Sequence, residues 1–579
     1  MTDFNFRLPT IQPQGASWCP TALRVLNPEW NRRCFGFVFR NMRISWTFVL
    51  LPFVLTFSTG AKAQLPTEAV SPKPDSVPQL WGNLHPGRHA VGFRTIFRYD
   101  SSRTWKATRG YDGTFSPDLE GRPIQIDVWY PASPDQSAKK MRFGDYVDQS
   151  APEDFAALNT IIRQRSRDDA AGSVPSAEIP ALRSAEMSAY RDAPSQKGIF
   201  PVVLYFGGLN APINSNAILA EYLASHGYIV ASISLLGPSD EQTFQSRTPD
   251  DLESSVRDME YAWSVLQTEP NIEKTKLAVM GHSVGAIEAV ILGLRNADVS
   301  AVIALDGTYG FQGLSNVLTH SYGYAPEKMR ASFLDLRRAQ GAQGNEPLDF
   351  SAVQSFRHAD RTFITIEKMH HSDFTSFAMI GAEFHAPLPT GYPLNGWNRE
   401  TGRGGYQEAC KIVLSFLDAK VKSDSNASAE IDRRARQNKE ISVTHLAAVP
   451  PPPSPLEAAA LANTNGLEAA KQAFITSCGE DNLTSCLDAD RFNTWGYNLL
   501  GQRRPKDALL VFQLNAWAHP QSANAQDSLA DGYLSVNEKE NARVAVQRAI
   551  ALAPTDGTLD PSAKSSFVSE EKAKLQKIE

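Results

Sequence analysis

Between residues 90 and 421, short apolar runs alternate with longer segments of helical periodicity. Eight apolar runs predict strands at residues 91–98, 124–130, 200–206, 228–235, 277–280, 299–305, 332–336 and 362–366. Helical patterns fill most of the intervals; over 248–267, Thr248 suits a cap and Pro249 the first helical position. Nearly continuous apolar strands that alternate with helices are typical of a parallel sheet covered on both faces. We therefore predict an α/β domain over residues 90–421. We interpret its more polar segment, residues 135–198, as an excursion that lies over the functional site of this domain.

The first 63 residues have the pattern of an extension followed by an export signal. Arg40 and Arg43 precede an apolar run over residues 44–60, and the small residues Ala61 and Ala63 follow it. A positive start, a short apolar run and small residues at a cleavage position are features of a secretory signal peptide. We expect translation to start at Met42 and cleavage to follow Ala63. The product would be periplasmic or secreted from a bacterium, without a stable membrane span; a single-pass anchor is the alternative.

The rest of the chain divides into a lead-in, a linker and a helical part. Residues 64–89 form a proline-rich lead-in, and residues 422–456 form a polar linker that includes a proline run. Over residues 457–579 a helical pattern recurs every 34 residues, as in the pairs Ala508 and Ala542, and Pro520 and Pro554. This period is similar to that of tetratricopeptide repeats. Because two repeats rarely bury enough surface alone, we expect them to pack on a neighbouring domain or a protein partner.

Composition and charge narrow the function classes. Hydrophobic residues make up 42% and charged residues 21% of the chain, as in ordinary globular proteins. The net charge of −6 argues against general attraction to nucleic acids. Five cysteines in 579 residues are too few for a fold built on disulfides, although Cys478 and Cys486 are near enough in sequence to be a candidate pair. The histidines show no metal-ligand spacing, and neither a metal nor a cofactor is predicted.

The strongest chemical signal is the pentapeptide Gly-His-Ser-Val-Gly at residues 281–285. It lies between a predicted strand and a predicted helix, the context in which G-x-S-x-G forms a sharp turn that exposes its serine. The turn directs the N-terminus of the helix, and the Val284 amide, at an oxyanion formed next to Ser283. An ordinary glycine turn is the alternative interpretation.

A serine nucleophile requires a base, and the base requires a carboxylate that holds its tautomer. Asp306 directly follows the strand predicted at 299–305, and His370 and His371 follow the strand predicted at 362–366. The chain order Ser, Asp, His is that of α/β hydrolases. Asp335, within another predicted strand, is the alternative acid, and His370 is the alternative base.

Four motifs together resemble the α/β-hydrolase branch that contains platelet-activating-factor acetylhydrolases and dienelactone-hydrolase-like esterases. They are Asp-Val-Trp-Tyr-Pro at 127–131, Gly-His-Ser-Val-Gly at 281–285, Ile-Ala-Leu-Asp at 303–306 and His-Ser-Asp-Phe at 371–374. The resemblance covers about residues 90–421 and implies an α/β-hydrolase fold, with helices on both faces of a mostly parallel sheet. It implies Asp306 as the acid and His371 as the base. The motif Phe-Gly-Gly-Leu at 206–209 resembles the loop that supplies the second oxyanion amide, here that of Leu209.

These features predict a serine carboxylic-ester hydrolase that acts through an acyl-enzyme. By resemblance, its substrates would be short-acyl phospholipids or other small esters. An acyltransferase with the same triad is one alternative. A binding protein that recruits a partner through its repeats and carries a vestigial hydrolase domain is another.

Overall fold

The computed structural model describes residues 78–105, 121–240, 242–311, 314–339, 348–388 and 396–578. The predicted signal peptide, its cleavage site and most of the proline-rich lead-in lie outside these residues. Among the helices described, none is both long and apolar enough to span a bilayer.

Eleven strands of the described chain form one mixed sheet. They are β1 (Ala90–Thr104), β2 (Gly121–Ala132), β3 (Lys140–Arg142), β4 (Glu186–Arg191), β5 (Phe200–Phe206), β6 (Ile229–Ile233), β7 (Ile272–His282), β8 (Val299–Leu305), β9 (Ser332–Arg338), β10 (Arg361–Ile366) and β11 (Ile441–Leu446). Their order across the sheet is β11-β10-β9-β8-β7-β5-β6-β2-β1-β4-β3. The six strands from β10 to β6 are parallel, and β11 and β2 pair antiparallel at the two ends of this group. The prediction of a mostly parallel sheet is confirmed.

Helices cover both faces of the sheet. The helices of this part are α1 (Phe143–Val147), α2 (Ala156–Ser173), α3 (Ile179–Ser184), α4 (Ala217–Ser225), α5 (Pro249–Leu266), α6 (Gly285–Arg295), α7 (Ser315–Thr319), α8 (Ser351–Gln354), α9 (Phe377–Glu383), α10 (Arg399–Lys420) and α11 (Ser425–Gln437). Alternate residues of β5 enter different cores. Val203 and Tyr205 belong to the core shared with α4 and α10, whereas Val202 and Leu204 belong to the core shared with α5 and α6. The continuous apolar strands seen in the sequence are thus buried on both sides.

Each of the eight predicted strands is present, and those at 200–206 and 299–305 have the predicted bounds. The three strands that the sequence did not predict, β3, β4 and β11, are short or polar; β3 and β11 are the two edges of the sheet, and β4 lies next to β3. Helix α11 and strand β11 occupy part of the segment 422–456 that was expected to be a linker, and β11 pairs with β10 over residues 441–446. An edge strand buries little of its surface, so β11 lacks the apolar run by which the central strands were recognised.

The C-terminal part consists of helices. They are α12 (Pro455–Asn465), α13 (Leu467–Cys478), α14 (Leu483–Cys486), α15 (Ala489–Gly501), α16 (Pro505–Ala518), α17 (Ala523–Ser535), α18 (Lys539–Leu552) and α19 (Lys564–Ile578). Helices α17 and α18 begin and end 34 residues after α15 and α16. The small residues Ala508 and Ala542 of the 34-residue pattern are fully buried. Cys478 and Cys486 form a disulfide across the short turn that contains α14.

The buried carboxylate of Glu221, on α4, ties distant segments of the α/β part together. Its Oε1 accepts hydrogen bonds from the Tyr146 hydroxyl at 2.7 Å and the Ala189 amide at 3.0 Å. Its Oε2 accepts from the Ser188 amide at 2.9 Å and the Trp81 indole at 3.1 Å. Burial raises the pKa of this carboxyl, whereas its four hydrogen bonds lower the pKa and offset part of that effect. Four donors on three separate segments therefore depend on one side chain.

We expect Glu221→Ala to lower the free energy of unfolding by at least about 3 kcal/mol, since each buried donor left without an acceptor costs about 1–3 kcal/mol. Urea denaturation followed by tryptophan fluorescence measures this loss. The matched control is Glu468→Ala on α13, whose side chain is 83% exposed. The control should stay within about 0.5 kcal/mol of the parent. Equal losses in the two variants would contradict the role given to Glu221.

Candidate active site

Ser283 occupies a tight turn between β7 and α6. Its φ of +59° lies in the left-handed region, which is rare for residues with a side chain. A Cβ added to Gly281 would lie 1.9 Å from the carbonyl oxygen of Gly285, and one added to Gly285 would lie 2.2 Å from the carbonyl oxygen of Gly207. No side chain fits at either position. The two glycines of the motif therefore permit the strained turn that presents the Ser283 hydroxyl.

The structure brings together the side chains of Ser283, Asp306 and His371, which follow one another in this order along the chain. Ser283 Oγ lies 2.9 Å from His371 Nε2, and His371 Nδ1 lies 2.5 Å from Asp306 Oδ2. This geometry assigns a donated proton to Nδ1 and leaves Nε2 free to accept the proton of the serine hydroxyl. Nucleophile, base and carboxylate thus form one hydrogen-bonded line.

Arg338, at the end of β9, is a part of the site that the sequence analysis missed. Its backbone amide donates to Asp306 Oδ1 at 3.2 Å, and its guanidinium forms a salt bridge with Asp306 Oδ2. Burial by itself raises the pKa of Asp306, but the hydrogen bond from His371 and the charge of Arg338 outweigh burial and lower it. Asp306 is therefore held as a carboxylate although it is 3% exposed. Only the register between β8 and β9 places Arg338 here, and no local motif signals it.

The alternative acid lies elsewhere. Asp335 is fully buried within β9, where it accepts a hydrogen bond from the Tyr309 hydroxyl at 3.1 Å and pairs with Arg337 at 3.2 Å. Burial raises the pKa of Asp335 to about 6. Its hydrogen bond and ion pair are thus made to Tyr309 and Arg337, whereas Asp306 contacts the imidazole of His371.

The alternative base is also directed elsewhere. The Nδ1 of His370 lies 3.0 Å from the Ser372 hydroxyl, and its ring packs on Trp397 with centroids 5.3 Å apart. Burial, followed by the charge of Arg338, lowers the pKa of His370 to about 4. The short turn that carries both histidines is fixed by Asp373, whose carboxylate accepts the His370 amide at 2.7 Å and the Trp397 indole at 2.6 Å. Asp373 caps this turn and is buried.

His282, the residue before Ser283, contacts the backbone of His371. Its Nε2 lies 3.0 Å from the backbone carbonyl oxygen of His371, and the two imidazole rings are 4.7 Å apart. Burial, and next the neighbouring His371, lower the pKa of His282 to about 3. The ring is therefore neutral near pH 7 and can donate its Nε2 proton to that carbonyl. His282 thus fixes the backbone of His371.

The loop after β5 carries the predicted oxyanion donor Leu209. A Cβ added to the preceding residue, Gly208, would lie 3.5 Å from Ser283 Cβ, so this loop passes close to the nucleophile. The next residue, Asn210, has a φ of +53° and exchanges two hydrogen bonds with the backbone of Gln245, at 2.8 and 2.9 Å. Gln245 in turn donates to Glu288 of α6 at 2.7 Å. We call this hydrogen-bonded connection from Asn210 through Gln245 to Glu288 the brace; it joins the Leu209 loop to the helix that begins after Val284. No local sequence pattern signals it.

Glu288 is the buried end of that brace. It is fully enclosed, and burial raises its pKa to about 8, against the smaller opposing effect of its hydrogen-bonding partners. The side chain is thus predominantly protonated at pH 7 and does not add a negative charge beside the nucleophile. Val284 directly follows Ser283, and the loop that carries Leu209 passes close to Ser283, so the amides of these two residues are the candidates to stabilise an oxyanion there.

A cavity of about 760 Å³ opens onto Ser283 and His371. Ser283, His282 and His371 lie in its wall, together with Gly208 and Leu209. Helix α2, from the segment 135–198 that was interpreted as an excursion over the site, forms another part of the wall through Arg165 to Ser173. The cavity has room for a small ester next to the serine. Within the described residues, no group of three or more His, Cys, Asp or Glu side chains is placed to hold a metal ion.

Comparison with known proteins gives one family match. The chlorophyllase family model matches residues 181–334, a range that contains Leu209, Ser283 and Asp306 and ends before His371. Chlorophyllase type 0 of Chenopodium album is 28% identical over 153 residues, which are 24% of this chain and 44% of that protein. Chlorophyllase-1, chloroplastic, of Citrus unshiu is 33% identical over 127 residues, 20% of this chain and 35% of that protein. The chain thus spans less than half the length of these curated relatives.

Among solved structures, a ferulic acid esterase from Streptomyces cinnamoneus is similar, with a TM-score of 0.43 and 17% sequence identity. The likeness covers 62% of this chain and 98% of the other. The family match and the curated relatives support an α/β-hydrolase esterase in general. They do not single out the acetylhydrolase branch suggested by the sequence motifs.

Proposed function

We propose that this protein is a serine carboxylic-ester hydrolase with Ser283 as nucleophile, His371 as general base and Asp306 as the carboxylate that orients the base. One observation carries the proposal: Ser283 Oγ, His371 and Asp306 form an unbroken line of contacts at 2.9 and 2.5 Å, and Ser283 and His371 lie in the wall of a cavity. The match to an esterase family over residues 181–334 supports the same class of reaction.

The chemistry follows from these contacts. Ser283 Oγ attacks the ester carbonyl carbon while His371 Nε2 takes the hydroxyl proton, and the Leu209 and Val284 amides stabilise the oxyanion that forms. Collapse of this intermediate breaks the ester C–O bond, and His371 returns the proton to the leaving alcohol. The acyl group then remains on Ser283. Water activated by His371 attacks the acyl-enzyme and releases the acid, which restores the serine hydroxyl.

The proposed substrates are small esters as a broad class. Small esters, including short-acyl phospholipids, fit a cavity of about 760 Å³ and agree with the motifs shared with acetylhydrolases. An acyltransferase would use the same groups and differ in excluding water from the acyl-enzyme. The complete line of contacts argues against a vestigial site.

The helical part is proposed to be a short tetratricopeptide-like array that binds a protein partner or stabilises the α/β part. The exact 34-residue offset between the pairs α15–α16 and α17–α18 supports this proposal. Export from a bacterial cytoplasm also stays a proposal, because the signal lies outside the described residues. The disulfide between Cys478 and Cys486 supports it, since such bonds belong to oxidising compartments.

We expect Ser283→Ala to abolish hydrolysis of p-nitrophenyl acetate, with kcat reduced by about 10⁶-fold or to the limit of detection. A fluorophosphonate probe should label the parent protein and not this variant. Ser173→Ala is the control, because Ser173 lines the same cavity and lies outside the proposed triad. A Ser283→Ala protein that turns over the ester at the parent rate would refute the proposed function.

The two candidate acids give a second test. Asp306→Asn should lower kcat by about 10³–10⁴-fold, because an amide cannot hold the base in the required tautomer. Asp335→Asn keeps a side chain of the same shape next to Tyr309 and should change kcat less than about tenfold. Steady-state kinetics of the two purified variants measure both effects. The reverse order of losses would transfer the role of the acid to Asp335.

Arg338 predicts a pH dependence. The charge of Arg338 helps to lower the pKa of Asp306, so the carboxylate persists as the pH falls. Arg338→Met removes this charge, so the pKa of Asp306 should rise and activity should be lost at a higher pH than in the parent. The acid limb of the kcat/KM profile measures the shift. Arg337→Met is the control: Arg337 pairs with Asp335 and should leave this limb in place.

A further inference from the structure

The cavity next to Ser283 has two positively charged side chains in its wall that no carboxylate neutralises. Arg165, on α2, is 8% exposed, and Arg247 is an exposed residue just before α5. Among the described residues, neither forms a salt bridge. Burial of an unpaired guanidinium is costly, and in Arg165 it lowers the pKa with no acidic group acting against it.

The contacts of Arg165 fix the position of its charge. Its Nη1 donates to the Leu235 carbonyl and its Nη2 to the Thr243 carbonyl, both at 2.6 Å. The guanidinium lies 4.7 Å from the centre of the Phe244 ring. Its Nε is buried and has no hydrogen-bond partner. Neutral carbonyls hold the group rigidly in place but do not cancel its charge, which therefore acts on whatever occupies the cavity.

The segment that holds Arg165 also carries the second charge. Phe244 is 61% exposed although it is a large apolar side chain, and it lines the cavity together with Arg247. Arg247 makes no hydrogen bond or ion pair with the described residues. A cavity wall that holds an exposed aromatic ring and two guanidinium groups without ion pairs is suited to a ligand with an apolar body and an anionic end.

Two carboxylates also lie in the cavity wall. Asp168 and Asp169 lie on α2 one turn beyond Arg165 and also line the cavity. Asp168 accepts a hydrogen bond from Gln164 at 2.7 Å, and neither carboxylate forms an ion pair with a described cation. The cavity wall thus holds charges of both signs without ion pairs, and the Arg165 guanidinium adjoins the exposed aromatic ring of Phe244.

We propose that Arg165 and Arg247 form an anion subsite, and that the protein prefers esters that carry a carboxylate away from the scissile bond. This inference rests on the proposed ester hydrolysis and names the substrate class that the cavity selects. Arg247, the flexible and exposed member, would contact the carboxylate, and Arg165 would provide a fixed positive field behind it. Both are specificity residues and take no part in bond breaking.

The test uses esters that differ only in charge. One pair places the charge on the alcohol side, 4-acetoxybenzoate against 4-acetoxybenzamide. The other places it on the acyl side, the p-nitrophenyl ester of adipic acid against that of its monoamide. Within each pair the carboxylate and the amide have nearly the same shape, so the ratio of their kcat/KM values reports the response to charge. The pair that responds identifies the side of the ester that faces the subsite.

We expect Arg247→Gln to lower kcat/KM for the carboxylate member of one pair about tenfold and to leave its amide partner within about twofold of the parent. Arg165→Gln should act in the same direction. Asp168→Asn should shift the ratio the opposite way, towards the carboxylate. Arg543→Gln, an exposed arginine on α18, is the control for a remote loss of charge. Higher salt should reduce the preference of the parent.

A binding measurement separates this proposal from the proposed function. Calorimetry with the Ser283→Ala protein compares the Kd of 4-acetoxybenzoate with that of 4-acetoxybenzamide without any turnover, and repeats the comparison after Arg247→Gln. An unchanged carboxylate-to-amide ratio in Arg247→Gln, in both kinetics and binding, would overturn the anion subsite while ester hydrolysis stands. Absence of hydrolysis in the parent, with carboxylate binding that depends on Arg247, would instead refute the esterase and keep the subsite.

Discussion

The hydrogen-bond register of adjacent parallel strands determines where Ser283 and Asp306 meet. His282 of β7 pairs with Leu305 of β8, and Leu305 pairs with Leu336 of β9. The next residues continue the pattern, because the Ser283 amide donates to the Leu305 carbonyl at 3.1 Å and the Asp306 amide to the Leu336 carbonyl at 2.7 Å. Parallel strands end at one edge of a sheet, so a serine and an aspartate far apart in sequence become neighbours there. A slip of one residue in any of these pairings would turn one of these side chains away from the others.

Contacts at this edge of the sheet also determine which side chains near Ser283 are charged. Asp306 stays ionised in a buried position because His371 and Arg338 both donate to it. Burial acts in the opposite direction on Glu288, whose pKa is raised to about 8, and the enclosed His282 is kept neutral. The outcome is one stable carboxylate next to one imidazole, with His282 and Glu288 mostly uncharged near neutral pH. This arrangement favours a serine whose proton can move to a single base.

The catalytic groups and the cavity wall come from different parts of the chain. Strand ends and α6 supply the proposed triad and one oxyanion amide, whereas α2 and the segment before α5 supply Arg165, Phe244 and Arg247. The brace from Asn210 through Gln245 to Glu288 connects these two parts. Substitutions in α2 or in the segment before α5 can therefore change the cavity wall without altering the strands that position Ser283 and Asp306.

The sequence by itself determined the α/β class and the eight main strands, because buried parallel strands leave continuous apolar runs. It also led us to propose Ser283, Asp306 and His371 as site residues, because a G-x-S-x-G turn has a local signature and an acid and a base follow later strands. It left Asp335 and His370 open, since two carboxylates at or near strand ends and two adjacent histidines look alike without their partners. Only the tertiary structure decided between them, and only it placed Arg338, Arg165 and the polar edge strand β11. Those features depend on strand register and on contacts between residues remote in sequence, which no local pattern of hydrophobic and polar residues encodes.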